Sequence, residues 1–188
     1  MNYTAITLLE TDLVTDPTRN VLIARLNAPA RQPAFFLPDE FTLLEAVCDR
    51  LVPQQAAERI DMAGQIDKRL TEGEGDGWRY DDMPPDAEAY RLGLRGITES
   101  AEVMFGNSFQ NLPDVQQDKV LADIQSMVAP GETWKQLPAD RFFEELMADA
   151  AGAYYSHPLA QAEINYVGMA DGSGWERIGL NELEEREK

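Results

Sequence analysis

The chain has 188 residues, 44% of them apolar and 9% aromatic, a composition that supports a packed core and argues against wholesale disorder. Its 34 acidic residues stand against 16 basic ones, for a net charge of -18, so bare nucleic acid and anionic membranes are excluded as natural partners: phosphate binding needs clustered Lys and Arg. One cysteine, Cys48, and one histidine, His157, exclude an intrachain disulfide and a structural zinc site by arithmetic.

Residues 1–37 read as an extended lead-in. The apolar run Val21 to Leu26 fits a strand or a brief helix, and Pro29 and Pro33 keep the chain extended as far as Phe35-Phe36, which tie it to the body. The N-terminus carries acidic residues where a signal peptide would carry Lys or Arg, and Arg19, Arg25 and Arg31 stand singly, so a cytoplasmic location is expected. No stretch approaches the roughly 20 apolar residues that span a bilayer.

A helical bundle is expected over 38–156. The first helix, 38–51, opens with Pro38, Asp39 and Glu40 and shows a stripe of Phe41, Leu44, Cys48 and Leu51, widened by Leu43 and Val47. The second, 56–71, puts Ile60, Ala63, Ile66 and Leu70 on one side and leaves Asp67, Lys68 and Arg69 as salt-bridging residues elsewhere. Three glycines and two prolines then forbid regular structure in the loop that carries Trp78, Tyr80 and Met83.

The third helix, 86–105, spaces Tyr90, Leu94, Ile97, Ala101 and Met104 helically. Gly93 and Gly96 inside it each cost about 1 kcal/mol against alanine, which predicts close approach of another helix. A fourth, 113–128, carries Val120, Leu121, Ile124, Met127 and Val128, and a short loop with Trp134 follows. The fifth, 138–156, has Phe142, Phe143, Leu146, Met147, Ala150, Ala153 and Tyr154 on its apolar side and is stopped by Pro158. Residues 157–188 read as an irregular arm and charged tail. The fold class is therefore all-α: one domain, 1–188, built as a single bundle of about five helices with irregular arms at both ends.

Chemistry is hard to place on this chain. His157 is the only histidine, at a helix C-terminus that favours imidazolium, and a structural role outweighs a catalytic one. The acidic loop with Glu72, Glu74, Asp76, Asp81 and Asp82 invites calcium but lacks EF-hand spacing. Neither GxGxxG nor GxxxxGK[ST] occurs. No catalytic, metal or cofactor-binding residue is assigned. The positive signal is aromatic: Trp78, Trp134 and Trp175 fall in irregular stretches, where such side chains either anchor an interface or pin their own loop.

In order and spacing, the runs FFLPDEFTLLEAVCDRLVP, IDMAGQIDKRL, GWRY, AYRLGLRGITESAEVMFGNSFQNLPDVQQDKVLADI, RFFEELMADAAGAYYSHP and GWERIG resemble the gluconate 2-dehydrogenase subunit 3 family over residues 34 to 180. The resemblance implies a non-catalytic small subunit bound to a large FAD-dependent dehydrogenase of the glucose-methanol-choline type, acting on sugars, sugar acids or glycosides. FAD belongs to that partner. Some complexes of the family add a cytochrome c subunit as electron acceptor. Many members carry a twin-arginine signal, which is not seen here, and many have a Tyr-Gly-Gly-Asn-like stretch where this chain has Leu159-Ala160-Gln161-Ala162. The residues expected to hold the partner are Trp78, Tyr80, Tyr155, His157, Tyr166, Met169, Trp175 and Ile178. Two other readings stand beside this one: a free-standing helical adaptor for another protein, and an enzyme working through His157.

Overall fold

A computed structural model describes residues 4–55, 58–74, 83–168 and 179–183. Those residues are all-helical, with no strand: α1 (Ala5–Leu8), α2 (Asp16–Leu26), α3 (Pro38–Leu51), α4 (Met62–Glu72), α5 (Asp86–Phe105), α6 (Asp114–Gln125), α7 (Ala139–Tyr155) and α8 (Pro158–Glu163), with short 3-10 turns at Phe109–Asn111 and Thr133–Lys135. They group into two compact units, Arg31–Ala153 and Met1–Ala30 with Tyr154–Lys188.

Within the larger unit, α3 packs against α4, α5 and α6, and α5 packs along α6. The expected stripe of α3 is buried at Phe41, Leu43, Leu44, Val47 and Cys48. Asp61 caps α4, its carboxylate accepting the Gly64 N–H at 2.7 Å, and Gly73 ends the helix at φ 67, a left-handed position where glycine has no Cβ to clash. Aromatic rings bind the rest together. Phe36 lies 6.1 Å from Tyr90, Tyr90 5.8 Å from Phe142, and Phe142 6.2 Å from Trp134, centroid to centroid.

The two α5 glycines make room for this stack. A Cβ on Gly93 would sit 2.0 Å from the Phe142 ring of α7, and one on Gly96 would sit 2.5 Å from the Trp134 ring. The expected close approach of a neighbouring helix is met at Gly93, while at Gly96 the visitor is the loop tryptophan. Trp134 is pinned further by its Nε1–H, which donates to Ser100 Oγ at 2.8 Å. Glu99 accepts the Thr133 N–H at 2.9 Å and its hydroxyl at 2.8 Å, bonds that hold the carboxyl below its usual range.

Asp67, expected among the salt-bridging residues away from the apolar side of its helix, does pair with Arg31 at 4.0 Å, but from a buried position. It is fully buried, and its carboxylate accepts the backbone N–H groups of Ala34, Phe35 and Phe36 at 2.9, 3.0 and 3.0 Å. Asp61 takes the Arg31 N–H at 2.8 Å. Two carboxylates of one helix thus strap the segment 31–36, which has no helical partners for its own donors. Two residues along, Arg69 bridges Asp86 at 2.7 Å and Asp149 at 2.5 Å, and Asp149 also accepts the Tyr90 hydroxyl. Burial, and then the Asp149 charge, push the Tyr90 phenol up.

The smaller unit revises the extended lead-in. Thr4 and Thr7 form a reciprocal cap on α1, and α2 carries Asp16 and a proline in its first turn and Arg25 in its last. The Arg19 guanidinium closes the turn between them, donating to the carbonyls of Leu9, Thr11 and Val14. Ala5, Leu8, Leu9, Val14, Leu22 and Val167 form the core of this unit. Residues 158–163, expected as irregular arm, are α8, which packs against α1 and α2. Helix α6 also ends sooner than its apolar spacing suggests. Met127 takes φ 57, a left-handed turn that costs a side chain roughly 1–2 kcal/mol, and Met127 and Val128 are exposed rather than part of the core stripe.

Replacing Asp67 with alanine strands three N–H donors, that of Phe36 buried and those of Ala34 and Phe35 part-buried. Urea unfolding should show a loss of about 3 kcal/mol or more, with Asp67→Asn in between, since an amide keeps one acceptor oxygen and turns its NH2 toward the donors.

Candidate partner interface

The expected interface residues Trp78, Tyr80, Met169, Trp175 and Ile178 lie outside the described residues. Tyr155, His157 and Tyr166 are described: Tyr155 is the last residue of α7, His157 caps α8, and Tyr166 follows the end of α8.

Proline explains the corner. Pro158 cannot continue α7, yet its fixed φ suits the first position of a new helix, so the residue that stops one helix starts the next. His157 is the N-cap of α8, with its Nδ1 accepting the Leu159 N–H at 3.3 Å and its Nε2 lying 3.1 Å from the Arg25 carbonyl. A proton on Nε2 satisfies both contacts, because Nδ1 must keep its lone pair to accept. Arg25 answers in kind, donating from Nη1 to the Ser156 carbonyl at 2.7 Å. Each side chain of the pair binds backbone at the other's end, which holds α2 to the α7–α8 corner within this unit.

Gln161 bonds the backbone on both sides of α8. Its side-chain amide donates to the Tyr155 carbonyl at 3.2 Å, and its own carbonyl accepts the Tyr166 N–H at 2.8 Å. Tyr155 is 49% exposed and Tyr166 46%, with Ile164 exposed between Gln161 and Tyr166 in the chain. Tyr155 stands edge-on to Tyr154 at 5.1 Å. Tyr154 itself is buried, its hydroxyl donating to Glu163 at 2.5 Å. That bond, with burial second, pushes the phenol up to about 12. A buried tyrosine thus backs an exposed one, giving the corner large rings that lose little entropy on binding.

Among the described residues no three His, Cys, Asp or Glu side chains are grouped to hold a metal ion, and no helix is long and apolar enough to cross a membrane. Cys48 is buried in the larger unit, and burial pushes its thiol well above the ordinary range. Sequence reasoning missed α8 and its cap. The dipeptide His157-Pro158 was the available signal, since proline at a first-turn position marks a helix start.

Fold and corner together define a small, acidic, all-α protein with an aromatic edge. A model of the family described as gluconate 2-dehydrogenase subunit 3 matches residues 38–179, most of the chain, and the chain belongs to that family. The family is thereby one of subunits of a dehydrogenase complex. No curated protein and no solved structure matches the chain.

The Tyr154–Glu163 bond predicts an alkaline signature. The folded state holds the phenolic proton more tightly than the unfolded chain, whose value is near 10, so the contribution is full below pH 10 and fades as pH rises toward about 12. Tyr154→Phe should cost about 1 kcal/mol at pH 8, and its gap to the parent chain in denaturant unfolding should narrow above pH 10.

Proposed function

We propose that this chain is the small, non-catalytic subunit of a dehydrogenase complex, binding and stabilising an FAD-dependent large subunit that oxidises a sugar, a sugar acid or a glycoside. The family match over residues 38–179 carries this reading. The exposed Tyr155, Ile164 and Tyr166, which flank α8, support it, because aromatic side chains with low ordering cost are the usual anchors of permanent interfaces. In this reading FAD and the catalytic residues belong to the large subunit, and a cytochrome c subunit is a natural electron acceptor.

The mechanism is mass action. A subunit that binds the folded, flavin-loaded large chain and not its unfolded form draws the equilibrium toward the loaded state, by an amount set by its concentration relative to Kd. His157 acts by position: it caps α8 and ties the corner to α2, fixing the helix that sets the spacing of the two tyrosines.

Co-expression with an FAD-dependent oxidoreductase of the glucose-methanol-choline type tests the reading. A yellow complex containing both chains is expected, and a Tyr155→Ala, Tyr166→Ala double variant should lower complex yield tenfold or more while folding normally. A chain that purifies alone and leaves flavoprotein yield unchanged would contradict it.

A further inference from the structure

Arg50 and Arg69 of the larger unit spend their guanidinium donors on acids. Arg50 reaches Asp118 at 2.6 Å and Asp114 at 2.8 Å, and Arg69 reaches Asp86 and Asp149 at 2.7 and 2.5 Å. Arg91 and Arg95, one turn apart on α5, are held differently. The Arg91 guanidinium lies over the Phe35 ring, 4.6 Å from its centre, and its Nη2 donates to the Phe35 carbonyl at 3.1 Å. Arg95 donates from Nε to the Thr133 hydroxyl at 3.0 Å. Both acceptors are neutral. The carboxylates that pair with these arginines stand beyond hydrogen-bond reach, Glu40 at 3.7 Å from Arg91 and Glu99 at 3.8 Å from Arg95. Each is engaged by other donors: Glu40 accepts the Leu37 N–H at 2.9 Å, and Glu99 accepts both the N–H and the hydroxyl of Thr133.

These contacts orient the two cations and leave most of their N–H donors unused. Their supports are themselves fixed, since Asp67 accepts the Phe35 N–H and Thr133 is buried. The Arg91 side chain is 47% exposed and that of Arg95 54%. With Ala87, Glu88 and Leu92 they line an open groove of about 360 Å³ along the outer face of α5. Glu88 brings one acid against two cations among the described lining residues.

We propose that this groove seats an extended acidic segment of the large subunit, with one carboxylate on each arginine. This rests on the small-subunit reading above. Four residues of helix separate the two arginines by about 6 Å along the axis, and alternate side chains of an extended chain stand about 6.6 Å apart, so acidic residues at alternate positions meet both guanidinium groups at once. Each guanidinium is a fork that can take a carboxylate through two parallel bonds. A long open groove suits a segment of chain, whereas a small molecule needs a cavity that encloses most of its surface. The net charge of -18 does not forbid the contact. Repulsion from carboxylates further off than about 8 Å is screened at physiological salt, while a pair in contact is screened far less. That same acidic coat gives an acidic segment few other places to bind, which favours one register.

The test is the affinity of the full chain for the purified, FAD-loaded large subunit. A double variant, Arg91→Gln with Arg95→Gln, should raise Kd tenfold or more while its thermal midpoint stays near that of the parent chain. Arg91→Lys with Arg95→Lys keeps both charges and loses both forks, so its Kd should fall between the two. The gap between parent and glutamine variant should shrink as salt rises. Equal Kd for parent and glutamine variant at low salt would overturn the groove while leaving the small-subunit reading intact. Saturable binding of free gluconate by the chain alone, lost in the glutamine variant, would overturn it in favour of a small-molecule site. A concentration-dependent dimer that the glutamine variant dissolves would overturn it in favour of a second copy of this chain. Failure of the parent chain to bind any such large subunit would overturn the small-subunit reading, and the groove's occupant with it.

Discussion

The larger unit depends on one buried carboxylate. Taking Asp67 out of water costs several kcal/mol unless its oxygens are fully used, and three consecutive backbone N–H groups use them. The exchange works in both directions, since residues 34–36 form no helix and their donors need an acceptor where the chain enters the body. With the strap fastened, Phe36 reaches Tyr90, and the ring stack continues through Phe142 to Trp134. Gly93 and Gly96 are the spaces that this stack requires on α5. Arg69 on the same helix as Asp67 then joins α4 to Asp86 of α5 and Asp149 of α7, so α4 fastens the chain entry and two helices at once.

Much of that fold is legible before the structure. Helices α3, α5 and α7 carry long apolar stripes, and Asp86–Phe105 matches the spacing reading at both ends because the first-turn acids and Gly106 mark them. Asp67 is illegible for a physical reason. Between Ile66 and Lys68 it reads as one more charge on a helix, and only the distant residues 34–36 make its burial worthwhile. Helix α2 is legible only as one of two options for Val21 to Leu26, because it buries little besides Leu22 and leaves no 3.6-residue period to decide between helix and strand. At α6 the apolar spacing runs past the true end into Met127 and Val128, because spacing alone cannot distinguish a core residue from an exposed one beyond a reversal.

The corner at α8 was half legible. Aromatic content points to Tyr155 and Tyr166, yet the helix between them rests on Gln161 and on the capping ring of His157, neither of which has a sequence signature of its own. Helices α1 and α2, which cover α8, precede the residues matched by the family model. The smaller unit thus joins a helix from the family region to one pair of helices from outside it.

The most direct measurement is the thermal unfolding of the FAD-loaded large subunit, titrated with this chain. Selective binding to the loaded state predicts a midpoint that climbs with added chain, equivalent to about 2.7 kcal/mol when the free chain stands at 100 times Kd. A midpoint that stays flat across that range, with the two proteins eluting separately, would contradict the account.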